Sequence, residues 1–506
     1  MTINVQEEYF VMLDQMVQKC REEITDSLAK LLSFSTVSGS KDPEEERASA
    51  NEFSRAFSWL GSLARSMNLK WRNYDNRICV IEQPGGNDGV IGLPLHVDVV
   101  PSGDGWHYPA FGGMVENDII YGRGAQDDKG PIIQMLYAIH CLNRLKLPFR
   151  RTVRLIIASQ EETGVWSDVD FYLEKEPAPD MCIVADAEFP IGNGEKGLVD
   201  VKIDIHWENR EAPSKPLQFR RISGGERSNV VPNRGEIIWE VTGSQAQGVS
   251  QSFKEYLKDF MKKHPGTDAF PLRMDRDPES QAKHLHITFL GKSAHGSKPE
   301  KGHNAVLDAL LFYSTLPEQA PWISKTCKFL HESFSDLRGE KIGVDENHPF
   351  IGDTTINLGV LDIDADKASL VLNIRPTLGR PIPELVERIR KHVSDWAAKQ
   401  GLRADVKIQG KAYEPLFLDP EEYPELIGAL KTAFQRVTGK KPELTSSSGT
   451  TFAKAFPNSL CFGPILTPEE PSQMHQADEH LKIEDLLRNT KIYGYSLMLL
   501  ACQLPS

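Results

Sequence analysis

Residues 90–100 read VIGLPLHVDVV, an apolar run that closes on His96 and Asp98. Apolar residues at consecutive rather than alternate positions mark a strand buried on both faces, as in parallel sheets. Three other stretches share this texture: RICVIEQ (77–83), TVRLIIASQEE (152–162) and MCIVADAE (181–188). Between them lies GPIIQMLYAIHCLNRLK (130–146), a helix opened by Pro131, whose missing N–H costs nothing in a first turn. Strands alternating with helices imply an α/β layer structure around a largely parallel sheet. His96, Asp98, Glu161, Glu162, Asp186 and Glu188 all fall at or just past the carboxyl ends of these strands. Open α/β sheets bind their ligands at that edge.

Upstream of this core, residues 5–70 carry apolar positions every three or four residues and read as helices. Downstream the texture changes. LVDVKIDIHW, HLHITFLG and SLVLNIRP alternate as half-buried strands do, and AVLDALLFYSTL and PELVERIRKHVSDWAAK are amphipathic helices. Residues 208–235, rich in Arg, Ser, Gly and Pro, read as a loop. This is an α+β insertion over 198–410. From 411 to 506 the chain returns to helix, the strand NSLCFGP and a last helix, enough to complete the layer structure begun by 1–197.

A chain of 506 residues exceeds one ordinary domain, and its 40% hydrophobic and 25% charged residues are those of a globular protein. The net charge of −13 argues against a nucleic-acid partner, which needs a basic surface. Seven scattered cysteines, never spaced Cys-x-x-Cys, read as reduced thiols. The N-terminus lacks the pattern of a signal peptide, and no apolar run escapes interruption by charge, so no membrane partner and a cytoplasmic location are expected.

Five segments offer metal-ligand side chains at a strand end or in a loop. They are His96-Val97-Asp98, GRGAQDDKG with Asp127 and Asp128, Glu161-Glu162, Asp186, and His475 in MHQADE. Taken singly, each has an ordinary reading: a surface pair, a solvated face, a helix cap. Their order along consecutive apolar strands raises the odds of a shared site. Imidazole and carboxylate suit Zn²⁺, Mn²⁺ or Co²⁺, and a bridging carboxylate can hold two ions about 3.5–4 Å apart.

The series LPLHVDVVP, WHYPAFGGMVENDIIYGRGAQDDKGP, SQEETG, VADAEFP, GKSAHGSKPEKGHNA, LNIRP and MHQADE resembles the M20 family of metallopeptidases and amidohydrolases over residues 90–485. Within it, DAEFPIGNGEKG and the length of the insertion most resemble the PepV/Sapep-type bacterial dipeptidases. The resemblance implies a zinc-exopeptidase type catalytic domain with an inserted lid, a doubled lid in a monomer, and two divalent ions, Zn or Mn with Co as a further option. It makes His96 and Asp186 ligands of one ion, Glu162 and His475 of the other, and Asp127 the bridge. Register alone separates Asp127 from Asp128, and the family holds a cis peptide just after the bridge. Glu161 is then the general base, and Asp98 accepts the second N–H of His96. From the lid, His295 stabilises the oxyanion, Asn229 reaches into the same site, and Arg375 clamps the carboxylate of a small peptide substrate.

One segment departs from the family. Where relatives often carry Gly-Gly-(Ala/Gly)-Thr-Tyr-Ala-Arg, this chain has Ser447-Ser448-Gly449-Thr450-Thr451-Phe452-Ala453-Lys454. Gly449 and Thr450 remain substrate-binding candidates. The function expected is hydrolysis of dipeptides. Deacylation of N-acyl amino acids is the alternative within the same chemistry. A non-catalytic binding protein on this scaffold would show a lost ligand or base, and none is missing.

Overall fold

The computed structural model describes residues 5–39, 42–207, 217–241, 246–270, 273–276, 283–316, 320–467 and 472–505. The chain divides into two units, Met1–Gly194 with Leu416–Ser506, and Glu195–Pro415. The inserted unit is slightly wider than the expected 198–410. The strand Arg403–Tyr413 runs past position 410 to pair its Tyr413 with Leu198, so a boundary there would cut off the end of the ladder.

In the first unit, the expected apolar runs become Ile78–Gln83, Val90–His96, Thr152–Ala158 and Met181–Val184. Val90–His96 lies between the other two parallel strands, aligning Leu93 with Leu155 on one side and Ile91 with Met181 on the other. Ser459–Cys461 extends the parallel centre against Met181–Val184, and Ile78–Gln83 joins antiparallel beyond Thr152–Ala158. The architecture is α/β with a mostly parallel sheet between helices. The helix expected from Pro131 begins two positions earlier, spanning Lys129–Arg144. Lys129 is fully buried in its first turn, and its Nζ donates to the Phe34 carbonyl at 2.6 Å. Helices Val5–Lys19, Arg21–Leu32 and Ile483–Ala501 complete the core, with Leu13, Leu28, Leu136 and Met498 fully buried. All seven cysteines are buried free thiols.

The second unit holds a long antiparallel sheet. Its order is Asp268–Ala269, Lys283–Leu290, Arg234–Val241, Leu217–Gly224, Thr355–Ile363, Lys367–Arg375, Leu198–His206 and Arg403–Tyr413. Helices Ala305–Thr315 and Ile382–Lys399 lie where sequence periodicity sets them; Ala246–Lys263 and Pro321–Phe334 are additional. The loop reading of 208–235 is corrected for its middle, while 208–216 lies outside the described residues. Leu217–Gly224 is a strand whose Leu217, Phe219 and Ile222 point inward. A register shift between Phe219 and Arg221 breaks the period-two pattern that would have revealed it. Among the described residues, no helix is long and apolar enough to cross a membrane.

Candidate active site

The site grows from the carboxyl ends of the parallel strands. Val90–His96 stops at His96, which is 1% exposed, and Val97 still donates its N–H to the Ala158 carbonyl at 2.9 Å. That bond aligns the ends of two neighbouring strands. Asp98, fully buried, then reaches across: its carboxylate accepts the backbone N–H groups of Glu161 and Glu162, both at 3.1 Å, and the Ser38 hydroxyl at 2.8 Å. The two glutamates are thereby held by their backbones, leaving their carboxylates to face inward. Asp98 also receives Nδ1 of His96, through its carbonyl at 3.0 Å and its carboxylate at 3.4 Å. A proton on Nδ1 leaves the Nε2 lone pair aimed into the site.

Two side-chain groups converge there. His96, Glu161 and Asp186 bring ligand atoms within 4.8 Å of one another, and so do Asp127, Glu162 and His475. Asp127 joins the groups: its Oδ1 is 3.0 Å from His96 Nε2, and its Oδ2 is 3.1 Å from His475 Nε2. His475 Nε2 also lies 3.2 Å from Glu162 Oε1. Asp128 faces elsewhere, with its Oδ2 accepting the backbone N–H of His96 at 3.0 Å. The peptide between Asp127 and Asp128 is cis.

The electrostatics of this cradle call for cations. His96 Nε2 and Asp127 Oδ1 are buried, face each other, and neither has a hydrogen-bond partner. Burial alone would lower the basicity of His96, but Asp127 and Asp98 outweigh it and hold the imidazole well above its ordinary range. His475 is pushed up to about 10 by Asp127 and Glu162. Burial, then the charge of Asp186, raise the Glu161 carboxyl well above the usual carboxylate range. Without metal, protons must offset this concentration of buried negative charge. Two divalent ions would do so better, and the donor set of imidazoles and carboxylates fits Zn²⁺ or Mn²⁺.

Other residues set the cradle and went unassigned in the sequence reading. Glu479, fully buried, accepts the backbone N–H groups of Gly124 (3.1 Å), Gln126 (2.9 Å) and Asp127 (3.3 Å), and pairs with Arg123 at 2.7 Å. It thus shapes the loop that presents Asp127. Gln126 Oε1 accepts the N–H of Gln473 at 2.8 Å, tying that loop to the segment carrying His475. Asp168 accepts the Ser159 N–H at 2.7 Å, just before the two glutamates. Glu479, the last acid of MHQADE, and Gln126, inside GRGAQDDKG, lie in stretches the sequence singles out, whereas Asp168 does not. Gly449 and Thr450 precede a short 3₁₀ turn, Phe452–Ala455, whose Phe452 ring lies 6.5 Å from the His96 ring.

The remaining candidates belong to the second unit, which brings them together. Asn229 accepts the Gly296 N–H at 2.7 Å, and Val230 bridges His295, so the Asn229 and His295 loops are laced side by side. His295 Nδ1 meets Ser297 Oγ at 2.7 Å. Arg375 is 4% exposed, and its Nε donates to Asn373 Oδ1 at 3.1 Å. Asn373 in turn donates to Asp200 at 2.6 Å, and Asp200 also accepts the Ser228 hydroxyl at 2.5 Å. Burial lowers the Arg375 guanidinium to about 10, against the opposing charges of Asp200 and Glu195. Asn373 lies inside LNIRP but was given no role there, and Asp200 had no sequence signal beyond strand alternation.

With this geometry in view, comparison with known proteins is direct. The model of peptidase family M20/M25/M40 matches residues 92–498. The chain belongs to the M20 peptidase family. As an M20 peptidase it is similar to "Putative dipeptidase YtjP" of Bacillus subtilis, at 31% identity over 82% of this chain and 84% of the relative. It is also similar to a protein of Staphylococcus haemolyticus with the same kind of name, at 28% identity over 95% and 98% of the two chains. Among solved structures it resembles human carnosine dipeptidase 1, with a TM-score of 0.56 at 12% identity over 98% and 99% of the chains, a likeness of fold. M20 peptidases are metal-dependent, and the two groups joined by Asp127 are this peptidase's candidate metal-binding residues.

Proposed function

We propose that this M20 peptidase hydrolyses the amide bond of dipeptides at two divalent metal ions. The observation that carries the reading is Asp127, whose two carboxylate oxygens each face a different imidazole, His96 and His475. That is the layout of a carboxylate shared by two ions. His96 and Asp186 would hold one, and Glu162 and His475 the other. When bound, Zn²⁺ or Mn²⁺ would supply Lewis acidity and make a water acidic at neutral pH.

The chain's own residues do the rest. The Glu161 carboxylate takes the proton of the attacking water and delivers it to the leaving amine. Asp98 keeps His96 in one tautomer and, through two backbone bonds, keeps Glu161 and Glu162 in register. From the inserted lid, His295 and Asn229 stabilise the developing oxyanion, and Arg375 clamps the substrate's carboxylate with its planar fork. A clamp at that place restricts the enzyme to short peptides with a free carboxyl end. Gly449 and Thr450 line the substrate's path, and the chain acts as a monomer. The names of the two bacterial relatives support dipeptides as the substrate class.

The test is a panel of dipeptides, tripeptides, and N-acetyl and N-succinyl amino acids, offered to protein stripped of metal and reloaded with Zn²⁺ or Mn²⁺. Metal-dependent cleavage confined to dipeptides is expected. Cleavage of the acylated amino acids alone would replace the substrate assignment with that of a deacylase.

A further inference from the structure

On the strand Lys283–Leu290, Leu285, Ile287 and Phe289 are fully buried in the core of the second unit. Side chains alternate along a strand, so His284 and His286 share the opposite, half-buried face. Their rings lie 6.2 Å apart. The neighbouring strand Arg273–Arg276 sets Asp275 directly across from His284. One ligand atom from each of Asp275, His284 and His286 falls within 4.8 Å of the other two.

His286 decides what this cluster can do. Its Nδ1 meets Glu236 Oε1 at 3.2 Å, and its Nε2 meets Asp275 Oδ1 at 3.0 Å. A neutral imidazole has one N–H, so it can satisfy only one of these carboxylates. If Nδ1–H donates to Glu236, the Nε2 lone pair points at a carboxylate oxygen, a repulsive contact that either a second ring proton or a metal ion between them relieves. A carboxylate on the outer nitrogen is also the partner that metal-bound histidines ordinarily have. Bonds of 2.0–2.2 Å in a tetrahedron put ligand atoms about 3.3–3.6 Å apart, so the 3.0 Å between Nε2 and Oδ1 must open by a few tenths of an ångström to admit an ion. Arg273 pairs at 2.9 Å with Oδ2, the other oxygen of Asp275, and so leaves Oδ1 to the site.

We propose that His284, His286 and Asp275 form a Zn²⁺ site on the outer face of the lid sheet, with Glu236 orienting His286. Two imidazoles and one carboxylate favour Zn²⁺ over Mg²⁺ or Ca²⁺, and solvent supplies the fourth ligand. The ion ties the edge strand Arg273–Arg276 to Lys283–Leu290. Its loading therefore stabilises the lid unit without touching the groups assigned to catalysis.

The full-length protein and a His284→Asn, His286→Gln variant would be dialysed against micromolar Zn²⁺ and their metal content measured by mass spectrometry. The variant should hold one equivalent less than wild type, with dipeptide turnover unchanged. Equal zinc content in the two proteins would overturn the site. Because the variant could fail to fold, wild-type protein would also be titrated with Zn²⁺ while its imidazole nitrogens are followed by long-range ¹H–¹⁵N spectra. The resonances of His284 and His286 should shift on zinc addition; unmoved resonances would refute the assignment.

Discussion

The candidate site residues of the two units treat their buried polar atoms in opposite ways. In the lid, Arg375 is held by Asn373, Asn373 by Asp200, and Asp200 by Ser228, so charge and hydrogen bonds close on themselves. In the catalytic unit, His96 Nε2 and Asp127 Oδ1 are buried without a hydrogen-bond partner, beside the further carboxylates Glu161, Glu162 and Asp186. A closed network fixes a geometry, whereas an open one needs something from solution to complete it. The difference follows from the sheets. The parallel centre of the first gathers strand ends at one edge, where loops can converge; the antiparallel lid spreads its polar side chains over a face.

On this contrast, substitutions of Asp127 and of the residues that position it change the content of catalytic ions, and substitutions in the Arg375 network change substrate affinity alone. The largest effect belongs to Asp127→Ala, which should lose both catalytic ions and bring dipeptide turnover to background, read by metal analysis and a rate assay together. Retention of one tightly held ion would deny the shared carboxylate. Next, Arg375→Met should raise KM for dipeptides on the order of 10–100-fold, the cost of losing a charged hydrogen bond, with metal content unchanged. Unchanged kinetics would remove Arg375 from the substrate's reach. Glu479→Gln keeps the ligands but loosens the loop that presents Asp127. It should weaken metal affinity by about 10-fold or more while full turnover returns at saturating metal. A kcat that stays low at saturating metal would make Glu479 more than a positioning residue. The smallest effect is expected of Asp200→Asn, a few-fold rise in KM from a less rigid Arg375, with bound ions unaffected.

The same contrast explains what the sequence made legible. Parallel strands buried on both faces show as unbroken apolar runs, so Val90–His96 and its neighbours, and the polar residues at their ends, could be read directly. Strands with one solvent face depend on strict alternation. Leu217–Gly224 lost that signature where Arg220 and Arg221 stand side by side at a register shift. Glu479 acts on backbone N–H groups, which any sequence offers, so nothing in composition marks its partners. The lid candidates Asn229, His295 and Arg375 came only from family resemblance, because Asp200, which links two of their segments, looks like one more exposed acid on an alternating strand.

The central claim is that Glu161 moves a proton beside ions it does not hold, and Glu161→Gln tests it most directly. Metal content by mass spectrometry and single-substrate turnover would be measured on the same preparation. The account predicts as many bound ions as in wild type and a rate lower by roughly 10²–10⁴-fold, the usual worth of a general base. Loss of an ion along with activity would contradict it, and would make Glu161 a ligand grouped with His96 and Asp186.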